Sequence, residues 1–187
     1  EYRWVKRIRN SYNYFTKFTY DEMPEVYAGH EIAGHGLHHY SLTAQTAEDC
    51  EKEIVEDLDG LWRIFGKRPA GHAYPFGAYN DAVVDILEKA GVRYARTCQA
   101  TNSFDLQTAD LLRFHPTCHH REARLMEMAK EFAEMKPDEP KLFYVWGHSC
   151  EFEEDGNWEI IERFCDYLAG RDDIFYGTNE EILLGGN

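Results

Sequence analysis

Four of the nine histidines in this 187-residue chain fall between Gly29 and His39, in the run Gly-His-Glu-Ile-Ala-Gly-His-Gly-Leu-His-His. A neutral imidazole offers a directional nitrogen lone pair near pH 7, which makes it the commonest protein ligand for metals. His35 and His39 are four residues apart, so one helical turn, or a tight loop at a strand end, can aim both rings at one ion. Core filling explains the run poorly, because each buried imidazole needs polar partners of its own. A zinc-protease helix is excluded. His30 and His35 are five positions apart rather than four, and Gly34 and Gly36 weaken any helix there.

Other chemically capable residues follow at wide spacing. Cys118-His119-His120 could form a second metal site, but it reads rather as a polar tract at a pocket rim or on the surface, since adjacent side chains diverge on an extended backbone. Arg96 and Arg113 could take a carboxylate from a ligand, but pairing with the chain's own acids is the default. Glu151, three residues after His148, suits either orientation of that imidazole or a solvent-facing position. His30 and His38 read as supports of the histidine loop.

Such residues need a frame. Thr19-Tyr20-Asp21-Glu22 has the capping-box pattern and opens a short helix towards Gly29. Thr46 caps a longer helix, in which Cys50, Ile54, Leu58, Leu61, Trp62 and Phe65 recur at helical spacing until Gly66. The pattern then predicts a strand over Gly71–Tyr74, an Asn80-capped helix with Val83, Val84, Ile86 and Leu87 inward, and a strand over Val92–Thr97. A loop at 98–111 precedes a strand over Leu112–His115, a helix over Leu125–Met135 and a strand over Leu142–Trp146. Asn157 caps a helix carrying Ile160, Ile161, Phe164, Cys165 and Leu168; a strand over Ile174–Tyr176 leads into a last short helix. This alternation implies a parallel sheet covered by helices, open or closed into a barrel. In both arrangements active sites form at the carboxyl ends of strands. The histidine run, Tyr74 to Gly77, Arg96-Thr97, Pro116 to His120 and Gly147-His148 all fall at such ends.

Length and composition set bounds. With 43% hydrophobic and 14% aromatic residues, the chain reads as one globular domain over residues 1–187. A net charge of −14 argues against nucleic acid and against anionic membrane surfaces. No apolar run approaches a membrane span, and residues 1–7 do not resemble a signal peptide. Five scattered cysteines without a Cys-x-x-Cys pair suggest free thiols and lean towards the cytoplasm, although the abrupt start leaves targeting open.

Three segments, in order, resemble the polysaccharide deacetylases, the NodB-homology carbohydrate esterases. Gly29-His30-Glu31-Ile32 through His35-Gly36-Leu37-His38-His39 is similar to the family's second motif, Tyr74-Pro75-Phe76-Gly77 to its third, and Trp146-Gly147-His148-Ser149 to its fifth. The resemblance spans roughly residues 18–183. It implies an α/β fold, a distorted (β/α)7 barrel of NodB-homology type that lacks its first strand–helix unit in this chain. It also implies metal-assisted hydrolysis of an acetyl group on a sugar, with Zn²⁺, or Co²⁺ or Ni²⁺, as the divalent ion. On that pattern His35 and His39 are the metal ligands, the backbone N–H of Phe76 serves the oxyanion, and His148 protonates the leaving group. Tyr74, Phe76 and Trp146, with Pro75 and Gly77 in the same turn, would contact an acetylated carbohydrate.

The chain departs from the pattern in three places. The first motif, Thr-Phe-Asp-Asp-Gly, is not found; Phe18-Thr19-Tyr20-Asp21-Glu22 is an echo better read as the capping box. The base and third ligand are then expected upstream, with Asp21, Glu31, His72, His119 or His120 as the replacement metal ligands within the chain. Ala73-Tyr74 stands where an arginine is usual, and Gly36 where Ser or Thr is usual. A non-catalytic carbohydrate-binding protein, and a deacylase or amide hydrolase of a small non-sugar substrate, are the alternative readings. Oligomeric state is not legible.

Overall fold

The computed structural model describes residues 5–8, 13–16 and 18–185, with side chains from residue 18 onward. Residues 1–4, part of the opening read for a leader, lie outside the described residues. Strands β1 (Val5–Ile8) and β2 (Asn13–Thr16) pair antiparallel. A one-turn helix α1 (Met23–Val26) follows Thr19, whose backbone N–H and hydroxyl both donate to the Glu22 carboxylate.

Helix α2 (Ala47–Phe65) sets the frame of the first half. Thr46 caps it by accepting from the Asp49 N–H, and Gly66 ends it in the left-handed conformation. Its inner stripe buries Cys50, Ile54 and Leu58 against Val83, Val84 and Leu87 of α3 (Asp81–Lys89). Asn80 caps α3 through the Val83 N–H. Under these helices β3 (Gly71–Ala73) pairs parallel with β4 (Tyr94–Arg96). Single parallel bridges from Gly34 to His72 and from Arg96 to Phe114 extend the row on both sides.

The second half repeats the plan. β5 (Cys118–His119) pairs parallel with β6 (Val145–Trp146). Helix α4 (Leu125–Glu134) packs with α6 (Trp158–Leu168), burying Leu125, Met128, Ala129, Ala133 and Leu168 around Phe143 and Phe164. Between them lies α5 (Ser149–Asp155), and α7 (Asn179–Leu184) comes last. The arrangement is α/β, with short strands paired two at a time. Among the described residues no helix is long and apolar enough to cross a membrane.

Several expected elements differ. Leu111–Arg113 is a 3-10 turn, so of the strand expected at Leu112–His115 only Phe114 bridges a neighbour. The strand expected at Leu142–Trp146 shrinks to Val145–Trp146, and the one at Ile174–Tyr176 does not form; Phe175 and Tyr176 are exposed. Asn157 precedes α6 but makes no side-chain cap, its Oδ1 being buried without a partner among the described residues. Helix α5 escaped the periodicity reading because Phe152 is its one buried apolar residue.

Candidate active site

The histidine loop is held by carboxylates rather than by a strand ladder. Glu53 and Asp57, one turn apart on α2, both reach it. Asp57 Oδ2 accepts the His35 N–H at 2.8 Å and the Gly36 N–H at 3.0 Å. Glu53 accepts the His38 N–H at 2.9 Å through Oε2, and its Oε1 lies 2.6 Å from His38 Nδ1. His38 is thus a loop support, as expected, whereas His30 is exposed. Burial pushes the Asp57 carboxyl above its ordinary range, with the two N–H donors pulling the other way. Gly36 has φ 79°, a left-handed conformation that disfavours Ser or Thr and explains the departure at this position.

This loop brings His35 and His39 together, with ring centroids 4.7 Å apart. His35 Nδ1 lies 2.7 Å from the Ala73 carbonyl oxygen, so it donates there and leaves the Nε2 lone pair free. Burial lowers the pKa of His35 most; the Ala73 bond opposes that shift, while His39, Arg96 and His148 add to it. The ring is therefore kept neutral, as a ligand must be. His39 has φ 58° and touches Phe76, itself at φ 59°, with centroids 4.6 Å apart. Two non-glycine residues in this costly region, in contact with each other, mark a built site. Among the described residues no third His, Cys or carboxylate joins this pair within 4.8 Å. Of the candidates named above, Glu31 accepts the Tyr94 hydroxyl and His72 is sealed in the core.

The Tyr74-to-Gly77 turn divides its labour. Phe76 is 68% exposed, and its N–H meets no acceptor among the described residues. Tyr74 corrects the expectation of a substrate wall: it is 0% exposed, stacks on Tyr79 and donates to the Leu112 carbonyl. Pro75 is buried too, and Gly77 backs onto Cys98. The turn offers a ligand the Phe76 ring and little else.

On the other side Trp146 leads through Gly147 to His148 at the start of α5. Glu151 Oε2 accepts the His148 N–H at 3.1 Å and lies 3.3 Å from its Nδ1. The same oxygen sits 2.7 Å from His120 Nε2 and 3.2 Å from His119 Nε2. Burial works to raise the Glu151 pKa, but its bonds from His120 and His148 outweigh that and hold it at about 2. The view that His119 and His120 diverge is corrected: β5 ends at His119, and the turn after it swings the next ring in, with centroids 4.4 Å apart. His120 is 4% exposed and lies so close to Gly147 that an added Cβ would stand 1.9 Å from its ring.

His119, His120 and Glu151 present donor atoms within 4.8 Å of one another, a spacing that could hold a metal. The proton positions differ from those at His35, however. His119 Nδ1 accepts the Arg121 N–H at 3.1 Å, which puts the ring proton on Nε2, facing Glu151. Arg121 Nη1 occupies the other Glu151 oxygen at 2.8 Å. This cluster holds protons, whereas His35 presents a lone pair.

His72 belongs to neither group. It is 1% exposed, neither ring nitrogen has a partner among the described residues, and burial pushes its pKa down to about 3. Between pH 6.5 and 3 the folded chain thus binds fewer protons here than the unfolded chain does, so stability is full above pH 6.5 and falls as pH drops. His35 and His119 push the same way. Comparing denaturant midpoints of wild type and His72→Leu should show a pH dependence shallower in the variant by about 2 kcal/mol between pH 6.5 and pH 5.

With this geometry in view, residues 15–95 match the sequence pattern described as polysaccharide deacetylase. The resemblance to the polysaccharide deacetylases is borne out. Over 69 residues the chain is 30% identical to the peptidoglycan deacetylase of Helicobacter pylori, a stretch covering 37% of this chain and 24% of that protein. The match thus spans about a quarter of the length of that curated relative. The proposed polysaccharide deacetylase of Mycobacterium smegmatis superposes with a TM-score of 0.60 at 19% identity, over 86% of this chain and 64% of that one. The 4-alpha-glucanotransferase of Thermococcus litoralis gives 0.56 at 18% identity, over 82% and 28%. At these identities the two structures speak for a shared fold alone. The deacetylase pattern covers His35, His39 and Phe76; Trp146, His148 and Glu151 lie beyond it.

Proposed function

We propose that this chain is the catalytic region of a metal-dependent hydrolase that removes N- or O-linked acetyl groups from a carbohydrate. The observation that carries the reading is the His35–His39 pair, with the Nε2 lone pair of His35 freed by the Ala73 carbonyl. Two imidazoles suit a borderline ion such as Zn²⁺, Co²⁺ or Ni²⁺. Bound there, such an ion would supply Lewis-acid polarisation of the acetyl carbonyl and an acidified water. The Phe76 N–H would donate a hydrogen bond to the developing oxyanion, and the Phe76 ring would cover the acetyl methyl. His148, with Nδ1 turned to Glu151, would hand a proton from Nε2 to the leaving amine or alcohol. The parallel pairs are then arcs of one distorted seven-stranded barrel within a single domain.

The test is acetate release from acetylated sugars together with metal analysis. Release that stops on chelation and returns with Zn²⁺ supports the reading; release indifferent to chelation overturns it. A non-catalytic, sugar-binding role is the second reading, favoured by the want of a third ligand beside His35 and His39 among the described residues. It predicts sugar binding without acetate release.

The carboxylate frame gives a further expectation. Asp57→Ala removes the acceptor for two loop N–H groups. Zinc affinity, read by competition with a chromophoric chelator, should drop roughly tenfold, the lower end for supporting partners of metal ligands. The denaturation midpoint of the same variant separates loop loosening from unfolding.

A further inference from the structure

Arginines in this chain have an abundance of acids to pair with, since 34 Asp and Glu face 20 Lys and Arg. Arg113 does so, at 2.7 Å from both Asp81 and Asp110, and Arg121, Arg124 and Arg171 also have carboxylate partners. Arg96 does not. Among the described residues the only hydrogen bonds of its side chain run from Nη1, to the Thr97 carbonyl at 3.1 Å and to Cys98 Sγ at 3.7 Å. Nε and Nη2 have no protein acceptor there, yet neither is a buried atom sealed from solvent. Its guanidinium lies over the Trp146 ring, 4.4 Å from the centroid.

The position matters as much as the missing partner. Arg96 ends β4 directly opposite Ala73, whose carbonyl fixes His35. Trp146, beneath the guanidinium, is 5.8 Å from the His148 ring by centroid. Among the described residues Arg96 is thus the one half-buried arginine without an acid, and it adjoins both the strand that holds His35 and the Trp146 ring beside His148. A free guanidinium edge is a planar fork that matches a carboxylate with two parallel hydrogen bonds. The aromatic face beneath it fixes the plane of that fork. In a protein of net charge −14, such a local cation is what admits an anionic ligand.

We propose that Arg96 is a specificity-determining residue that receives a carboxylate carried by the acetylated substrate. This rests on the deacetylase reading of the same site and narrows it to acetylated sugars bearing an acid group. A neutral acetylated sugar leaves the fork to water.

The experiment uses an N-acetylglucosamine oligomer and the same oligomer bearing a carboxyalkyl ether. In wild type, kcat/KM for the carboxylated oligomer should exceed that for the neutral one by roughly tenfold or more, mainly through KM, as a charge-assisted pair would give. In Arg96→Gln this ratio should collapse towards one, and Arg96→Lys should fall between, because an ammonium cannot form the fork. A wild-type ratio near one, or a ratio that survives Arg96→Gln, overturns the proposal. So does inhibition by sodium acetate that Arg96→Gln relieves without any preference between the two sugars, which would make Arg96 a product-binding group. The same ratio measured as Kd by calorimetry decides the matter if neither oligomer releases acetate. In that case the deacetylase reading fails, and the carboxylate preference stands or falls on binding alone.

Discussion

Zinc content and acetate release should be lost together in His35→Ala and His39→Ala, each by more than about a hundredfold in kcat/KM. The size follows from comparison: removing mere supporting partners of metal ligands costs 10–100-fold, and a ligand matters more than its support. Both rings sit in one loop whose backbone is pinned to Asp57 and Glu53, so truncating either leaves those backbone hydrogen bonds in place, and His35→Ala gives up only the side-chain bond to Ala73. The fold should survive, which makes metal analysis of the purified variants decisive. His30→Ala is the control, since that ring is exposed and outside the pinned segment. Variants that keep both zinc and acetate release would end the metal-centre reading.

The second large effect is expected at His148 and Glu151, and it should separate proton delivery from metal binding. His148→Ala should lower kcat by roughly 10²–10⁴-fold, the usual worth of a positioned acid or base, while zinc content is unchanged. Glu151→Gln keeps the shape but removes the charge that three imidazoles face. A smaller fall in kcat is expected, with KM little altered. His119, His120 and Arg121 also face this carboxylate, so the denaturation midpoint must be followed in parallel. A kcat unchanged in Glu151→Gln would reduce Glu151 to a helix-capping role. Loss of zinc in the same variant would instead make the His119–His120–Glu151 cluster the metal centre.

Legibility tracked the kind of interaction involved. Helices α2 and α3 were readable because caps at Thr46 and Asn80 and apolar stripes are local signals. The histidine spacing is local too, and so is the Pro-aromatic-Gly turn. What was hidden depends on contacts across the chain. Glu53 and Asp57 look like ordinary helix acids until the loop folds onto them; the one available hint was their place beside the buried Cys50, Ile54 and Leu58 stripe. Tyr74 reads as a wall from sequence because spacing cannot tell which way a turn residue points, and its hydroxyl turns inward to Leu112. Strands of two or three residues leave too short a pattern to place, which is why the sequence predicts strands at Leu112 and Ile174 that the fold does not form. The default pairing held for Arg113 and failed for Arg96, a difference no spacing rule contains.

The pinning of the histidine loop to α2 has a consequence for its motions. Backbone amides in surface loops ordinarily trade hydrogen for deuterium quickly. Those of His35 and Gly36 donate to a carboxylate on a helix whose inner face is shut inside the domain. Their deuterium uptake should therefore be slow and should rise only when α2 itself opens, so that the loop keeps time with the core.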